Sequence, residues 1–181
     1  MIVITGAPRT GTSMMMQTLK ILGVPIVGEK FSDYNIEDGN KKGYYELNPE
    51  DISKGVKTNQ YQGKAIKLFG DGLRNTNCDL IDKLIVCKRD REASVNSFQK
   101  LMEISPLLPI EPSKENAAKV VRYNATIADL YLKVHEGPVL TVWFHEMIDN
   151  PKDTIKKIID YLNIKSSKYR INRAINNIER A

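Results

Sequence analysis

The apolar run Ile2-Val3-Ile4-Thr5 passes through Gly6-Ala7-Pro8-Arg9-Thr10-Gly11-Thr12-Ser13 into a stretch that carries Met15, Leu19 and Leu22 at helical spacing and stops at Gly23. No other feature limits the fold as much. A buried strand, a glycine-bearing turn and an amphipathic helix in that order form the opening unit of a parallel α/β sheet. The turn aims several backbone N–H groups and the positive end of a helix dipole at one point, which makes an anion site, and its glycines let the backbone come close to the anion.

The pattern then repeats. Ala65 to Phe69, Leu84 to Lys88 and Val139 to Phe144 read as three further strands, dense in β-branched or aromatic residues. Helices are expected from about Glu92 to Glu103, from an N-cap at Ser113 to a point before Gly137, and from Pro151 to Leu162 with Asn163 just past the end. This alternation predicts an α/β fold over residues 1–181: a single-domain three-layer sandwich with a central parallel sheet, of the P-loop nucleotide-kinase-like kind. Residues 24–62, polar and rich in Gly, Asn and Tyr, and the proline-bearing residues 104–113 read as loops. Ligands of such sheets sit at the carboxyl ends of the strands, so both loops are expected beside the site.

Composition narrows the function classes. A chain of 181 residues can bury roughly 70% of the surface that its unfolded form exposes, and 41% apolar with 27% charged residues is the balance of a folded globular domain. Lys and Arg number 27 against 22 Asp and Glu, a formal charge of +5 that suits an anionic ligand. No Lys/Arg run is long enough for a nucleic-acid patch, so no nucleic-acid partner is expected. Cys78 and Cys87 lack the spacing of a zinc or redox motif and read as free thiols, and no metal is expected. No apolar stretch approaches a membrane span and the first strand begins at once, so a cytoplasmic location without membrane attachment is expected.

Gly6 and Gly11 have the separation seen in the nucleoside-triphosphatase loop, but Thr12 stands where that loop needs its lysine. The cation is instead Arg9, inside the loop, where a planar guanidinium can clamp oxygens of a shorter anion. The segment Pro8-Arg9-Thr10-Gly11-Thr12-Ser13 resembles the donor loop of the P-loop sulfotransferases: Pro, then Lys or Arg, then Ser or Thr, then Gly-Thr-[Ser/Thr]. That family's second donor motif, an Arg at a strand end followed eight positions later by a Ser, is matched by Arg89 and Ser97. Gly43-Tyr44-Tyr45-Glu46 is similar to the Gly-aromatic-Glu segment of bacterial members, and Trp143 to Ile148 with Asn150-Pro151 is similar to the family's Tyr-Glu-Asp-Leu strand end. The resemblance spans residues 1 to about 163. The family's glycine-rich donor segment has no counterpart in Lys165 to Ala181, where Arg170 and Arg173 are the candidates to complete the 3′-phosphate pocket.

The resemblance implies a sulfotransferase that uses 3′-phosphoadenosine-5′-phosphosulfate (PAPS) as donor and a hydroxyl or amine of a small molecule or glycan as acceptor. Arg9 would bridge the sulfate and the leaving 5′-phosphate, Pro8 to Ser13 would hold that phosphate, and Arg89, Ser97 and Arg173 the 3′-phosphate. Arg stays protonated at neutral pH, so Arg9 would act electrostatically and not as a general acid. Glu46 is the implied base, with Glu29, Asp33 and Asp38 next in line, and Met14 is a candidate to pack on adenine. Residues 24–62 and 104–113 become acceptor-side loops, where Tyr34, Tyr44, Tyr45 and Tyr61 could stack on a ring. A homodimer that completes the pocket suits so small a chain. Two other readings stay open: a nucleotide kinase with a degenerate loop, disfavoured by the missing lysine and by the lack of a second acidic strand end for magnesium, and a non-catalytic module that binds a nucleotide or anion.

Overall fold

The computed structural model describes residues 1–30, 40–105 and 110–179. Strand β1 (Ile2–Gly6) lies between β2 (Ala65–Lys67) and β3 (Lys83–Lys88), and β4 (Val139–Trp143) flanks β3, with every pairing parallel. Successive side chains of a strand face opposite ways, and the cores follow that rule. Ile4, Ile85 and Cys87 face one way, onto helices α1 (Thr12–Leu22), α7 (Pro151–Leu162) and α8 (Lys168–Glu179). Val3, Leu84 and Val86 face the other, onto α3 (Gly70–Arg74) and α5 (Lys114–Val134). The result is the expected three-layer sandwich.

Helix ends are set by local chemistry. Asp90 and Ser113 accept the amides of Ala93 and Asn116, capping α4 (Arg91–Ile104) and α5. Gly23 and Asn163 end α1 and α7 in the left-handed conformation. Ile155, Ile158 and Leu162 all bury the same face of α7, and each such side chain contributes about 1.5–3 kcal/mol of burial. Helix α4 packs on α5 through Val95, Phe98, Met102, Ala117 and Val121, with Ala7 of the first loop beneath them.

The fourth strand ends at Trp143, one residue short of expectation: its ladder with β3 stops at Lys88↔Trp143, and Phe144, with no strand partner, opens helix α6 (Phe144–Asp149). Similarly β2 stops at Lys67, and Gly70 at a φ of 44° turns the chain into α3. Within the stretch expected as loop lies a short helix α2 (Pro49–Lys54), capped by Asn48. No described helix is long and apolar enough to cross a membrane.

The strand order reverses direction at β1, so a crevice opens between the carboxyl ends of β1 and β3, where ligands of open α/β sheets bind. The first loop leaves β1 there, and Arg89 follows the end of β3.

Candidate active site

Strand β1 ends in Gly6, which pairs with Cys87 of β3, and a Cβ at Gly6 would stand 2.3 Å from the Cys87 carbonyl oxygen. Only glycine lets the loop leave the sheet at this point. Thr10 folds the loop back by donating its hydroxyl to the Ala7 carbonyl at 2.7 Å. Gly11, at a φ of 94°, begins α1 without a side-chain cap, so no cap oxygen occupies the amides of its first turn. Those amides and the helix dipole face the crevice.

Arg9 has a φ of 67°, the left-handed region that L residues seldom enter, and it is held there from two sides. Its Nε donates to Ser97 Oγ of α4 at 3.0 Å, and its carbonyl accepts from Arg89 Nη1 at 3.2 Å. The Arg89 guanidinium lies 4.3 Å from the ring centroid of Phe144, and that ring is 3.0 Å from where a Cβ on Gly11 would be. Residues 9, 11, 89, 97 and 144 thus form one cluster from three parts of the chain. Burial and, next, the charge of Arg9 push the ionisation of Arg89 below the usual arginine range. Two guanidiniums so close repel, and an anion between them would relieve the repulsion.

A second cluster faces the same loop. Lys67 closes β2 with a fully buried side chain; its ammonium is 2.6 Å from Glu46 Oε1 and donates to Ser13 Oγ at 3.0 Å and to the Tyr44 carbonyl at 2.5 Å. Burial lowers its pKa, and Glu46 works against that shift. Glu46 is delivered by a tight corner in which Gly43 and Tyr45 both take positive φ, pinned by Gln17 of α1 donating to the Gly43 carbonyl and by the Glu29 amide donating to the Glu46 carbonyl. The buried Tyr44 hydroxyl has no hydrogen-bond partner among the described residues. Burial raises its pKa, while the nearby Arg9 pulls the other way.

The expected site residues therefore fall in two places. Pro8 to Ser13, Glu46, Arg89 and Ser97 converge on the first loop. Arg173 lies instead on α8, in a groove with Ile21 and Lys42. Met14 is half-buried against the core under α1, and Glu29 is exposed. Asp33, Asp38 and Tyr34 lie outside the described residues. Sequence reasoning passed over Lys67 and Phe144. A lysine inside Ala65-Ile66-Lys67-Leu68-Phe69 was the available signal, because a lysine buried on both faces of a strand needs a partner.

No known family model matches the sequence, and no curated protein does. Solved structures do match. The fold is similar to that of mouse sulfotransferase SULT7A1 complexed with PAP (TM-score 0.60, 17% identity, 98% of this chain and 63% of that one). It is similar to retinol dehydratase in complex with androsterone and the inactive cofactor PAP (TM-score 0.61, 14% identity, 98% and 64%). Sulfotransferase STF9 from Mycobacterium avium gives a TM-score of 0.58 at 13% identity, over 97% of this chain and 66% of that one. The chain has the sulfotransferase fold and spans about two thirds of the length of these proteins.

Proposed function

We propose that this protein is a sulfotransferase that binds PAPS at the Arg9 loop and transfers its sulfuryl group to a hydroxyl or amine of an acceptor. The observation that carries the reading is the convergence on Arg9 of Ser97 and Arg89, which lie 88 and 80 positions from it in the sequence and are linked to it there only through the donor motifs. The likeness to PAP-bound sulfotransferases supports the same nucleotide, PAP being the donor without its sulfuryl group.

The first-turn amides of α1 and the Arg9 guanidinium would hold the 5′-phosphate and the transferring sulfuryl oxygens, and Arg89 with Ser97 the 3′-phosphate. As the acceptor oxygen or nitrogen bonds to sulfur and the bond from sulfur to the 5′-phosphate oxygen breaks, negative charge gathers on PAP, facing Arg9. The acceptor's proton passes to Glu46. Lys67, bonded to both Ser13 and Glu46, fixes that carboxylate against the donor loop. Such a site works by placement and charge stabilisation.

Calorimetric titration with PAP, ADP and ATP, with and without magnesium, tests the reading. We expect metal-independent binding that favours PAP and that Arg89→Ala weakens. Equal affinity for ADP, or a need for magnesium, would end the sulfotransferase reading.

A further inference from the structure

Tyr44 is held by its main chain on both sides. Its amide donates to the Lys30 carbonyl at 2.8 Å, and its own carbonyl accepts from the buried Lys67 ammonium at 2.5 Å. Its two neighbours, Gly43 and Tyr45, both take positive φ, so the corner fixes the direction of the side chain between them. The residue is 4% exposed, and the Lys67 ammonium lies 6.0 Å from its ring centroid. So little exposure leaves no ring face for an acceptor to stack on, and what Tyr44 can offer a ligand is its hydroxyl.

That hydroxyl is the unpaired group in a corner that is otherwise well paired. The Gly43 carbonyl accepts from Gln17, the Glu46 carbonyl from the Glu29 amide, and the Glu46 carboxylate meets Lys67. The buried Tyr44 hydroxyl has no partner among the described residues. A buried hydroxyl without a partner costs stability, and phenylalanine would fill the same space without that cost. The charges of Arg9 and Glu46 both act on it. A guanidinium carries donors only, so Arg9 cannot accept the phenolic proton, and the Glu46 carboxylate is engaged by Lys67. Burial, the largest influence, raises the Tyr44 pKa with Arg9 pulling the other way, so the hydroxyl keeps its proton at neutral pH. What this donor lacks is an anionic oxygen beside Arg9.

We propose that the Tyr44 hydroxyl is a further catalytic group, which donates a hydrogen bond to an oxygen of the transferring sulfuryl group. The inference rests on the sulfotransferase reading of this site. In an in-line transfer the sulfur stands between the 5′-phosphate oxygen that leaves and the acceptor atom that attacks. The first-turn amides of α1 are assigned to that phosphate, whereas Tyr44 belongs to the corner that delivers Glu46, the group assigned to the acceptor's proton. The hydroxyl therefore meets the sulfuryl oxygens and not the phosphate. As the acceptor atom bonds to sulfur and the bond from sulfur to the phosphate oxygen breaks, the acceptor's proton goes to Glu46 and Tyr44 keeps its own. Its contribution is to hold one sulfuryl oxygen in line throughout.

Calorimetry of the unaltered protein and of Tyr44→Phe, each with PAPS and with PAP, tests this, because the two nucleotides differ only in the sulfuryl group. The variant should bind PAP within about twofold of the unaltered protein and PAPS about tenfold or more weaker. Its melting temperature should stay the same or rise, since the hydroxyl removed has no partner. A fall in melting temperature would make the hydroxyl structural and overturn the proposal. An equal loss for both nucleotides would place it on the phosphate, and no loss for either would leave it without a ligand; each result overturns the proposal too. The unaltered protein separates the two readings. If it binds both nucleotides and Tyr44→Phe does not discriminate between them, the role of Tyr44 alone falls. If it binds neither, the sulfotransferase reading falls and takes the Tyr44 assignment with it.

Discussion

The ammonium of Lys67 joins Glu46, at 2.6 Å, to the Ser13 hydroxyl, at 3.0 Å, and its side chain is wholly buried while that of Glu46 is 19% exposed. The carboxylate proposed to receive the acceptor's proton is thereby fixed against the loop proposed to hold the donor.

Glu46→Gln removes the carboxylate charge beside a buried cation, and Lys67→Met removes that cation from beside the carboxylate. Breaking a buried pair from one side costs about 3–5 kcal/mol; the partial exposure of Glu46 brings the expected loss for Glu46→Gln to about 2 kcal/mol. The double variant should recover part of that loss in urea unfolding, which reads out the coupling. Turnover should fall about a hundredfold or more in each single variant. Glu46→Gln with unimpaired turnover would shift the base to another carboxylate, Glu29 first.

The lowered pKa of Lys67 has a consequence for stability. Burial is the main cause, so the unfolded chain binds the proton more tightly than the folded one, and the folded state gains relative stability as pH rises from the folded pKa toward the ordinary value of 10.5. That stability is fully present above 10.5 and is lost as pH falls through the folded pKa. Cys87, whose thiol burial pushes up to about 12, acts in the opposite direction above pH 9. Unfolding of the unaltered protein and of Lys67→Met, which both keep Cys87, should differ increasingly in favour of the unaltered protein as pH rises toward 10.5. A pH-independent difference would mean that Lys67 titrates alike in both states.

Two loop glycines should fail to different degrees. A Cβ on Gly6 meets the backbone oxygen of Cys87 at 2.3 Å, where the sheet cannot give way. A Cβ on Gly11 meets the side chain of Phe144 at 3.0 Å, which can shift, leaving mainly the strain of a φ of 94°. Gly11→Ala should cost about 1–3 kcal/mol and Gly6→Ala more. Denaturant midpoints that rank them the other way would show that the β1–β3 contact relaxes readily.

The sheet and α1, α4, α5 and α7 were legible because each carries a local mark: β-branched runs, Asp90 or Ser113 before a helical period, Gly23 or Asn163 after one. The proximity of Arg9, Arg89 and Ser97 was legible through the resemblance of Pro8 to Ser13, Arg89 and Ser97 to a family's motifs. Lys67 was not, since its role depends on the pairing of β2 with β1, a contact between residues more than 60 apart. Helix α8 also escaped. Ile171, Ala174, Ile175 and Ile178 do repeat with helical period, but Asn-rich intervening positions weaken the signal. Phe144 read as the end of a strand, and only the extent of the β3–β4 ladder shows that it opens a helix over Arg89.

Arg9 and Arg89 stand close enough for the charge of one to disturb the ionisation of the other, so an anion bound between them is expected to relieve their repulsion. Arg89→Ala removes one side of the repulsion and should leave the melting temperature unchanged or raise it, while PAP affinity falls by about a hundredfold, the scale of a lost charge-assisted pair. Arg9→Ala should abolish turnover with a far smaller effect on folding, because the loop is also held by Thr10 on the Ala7 carbonyl and by Arg89 on the Arg9 carbonyl, neither of which needs the Arg9 side chain. Sulfate should raise the melting temperature of the unaltered protein more than that of either variant, and chloride at matched ionic strength should not. If Arg89→Ala destabilises the protein as strongly as it weakens PAP, the stacking of Arg89 on Phe144 is structural and the two guanidiniums are not poised for an anion.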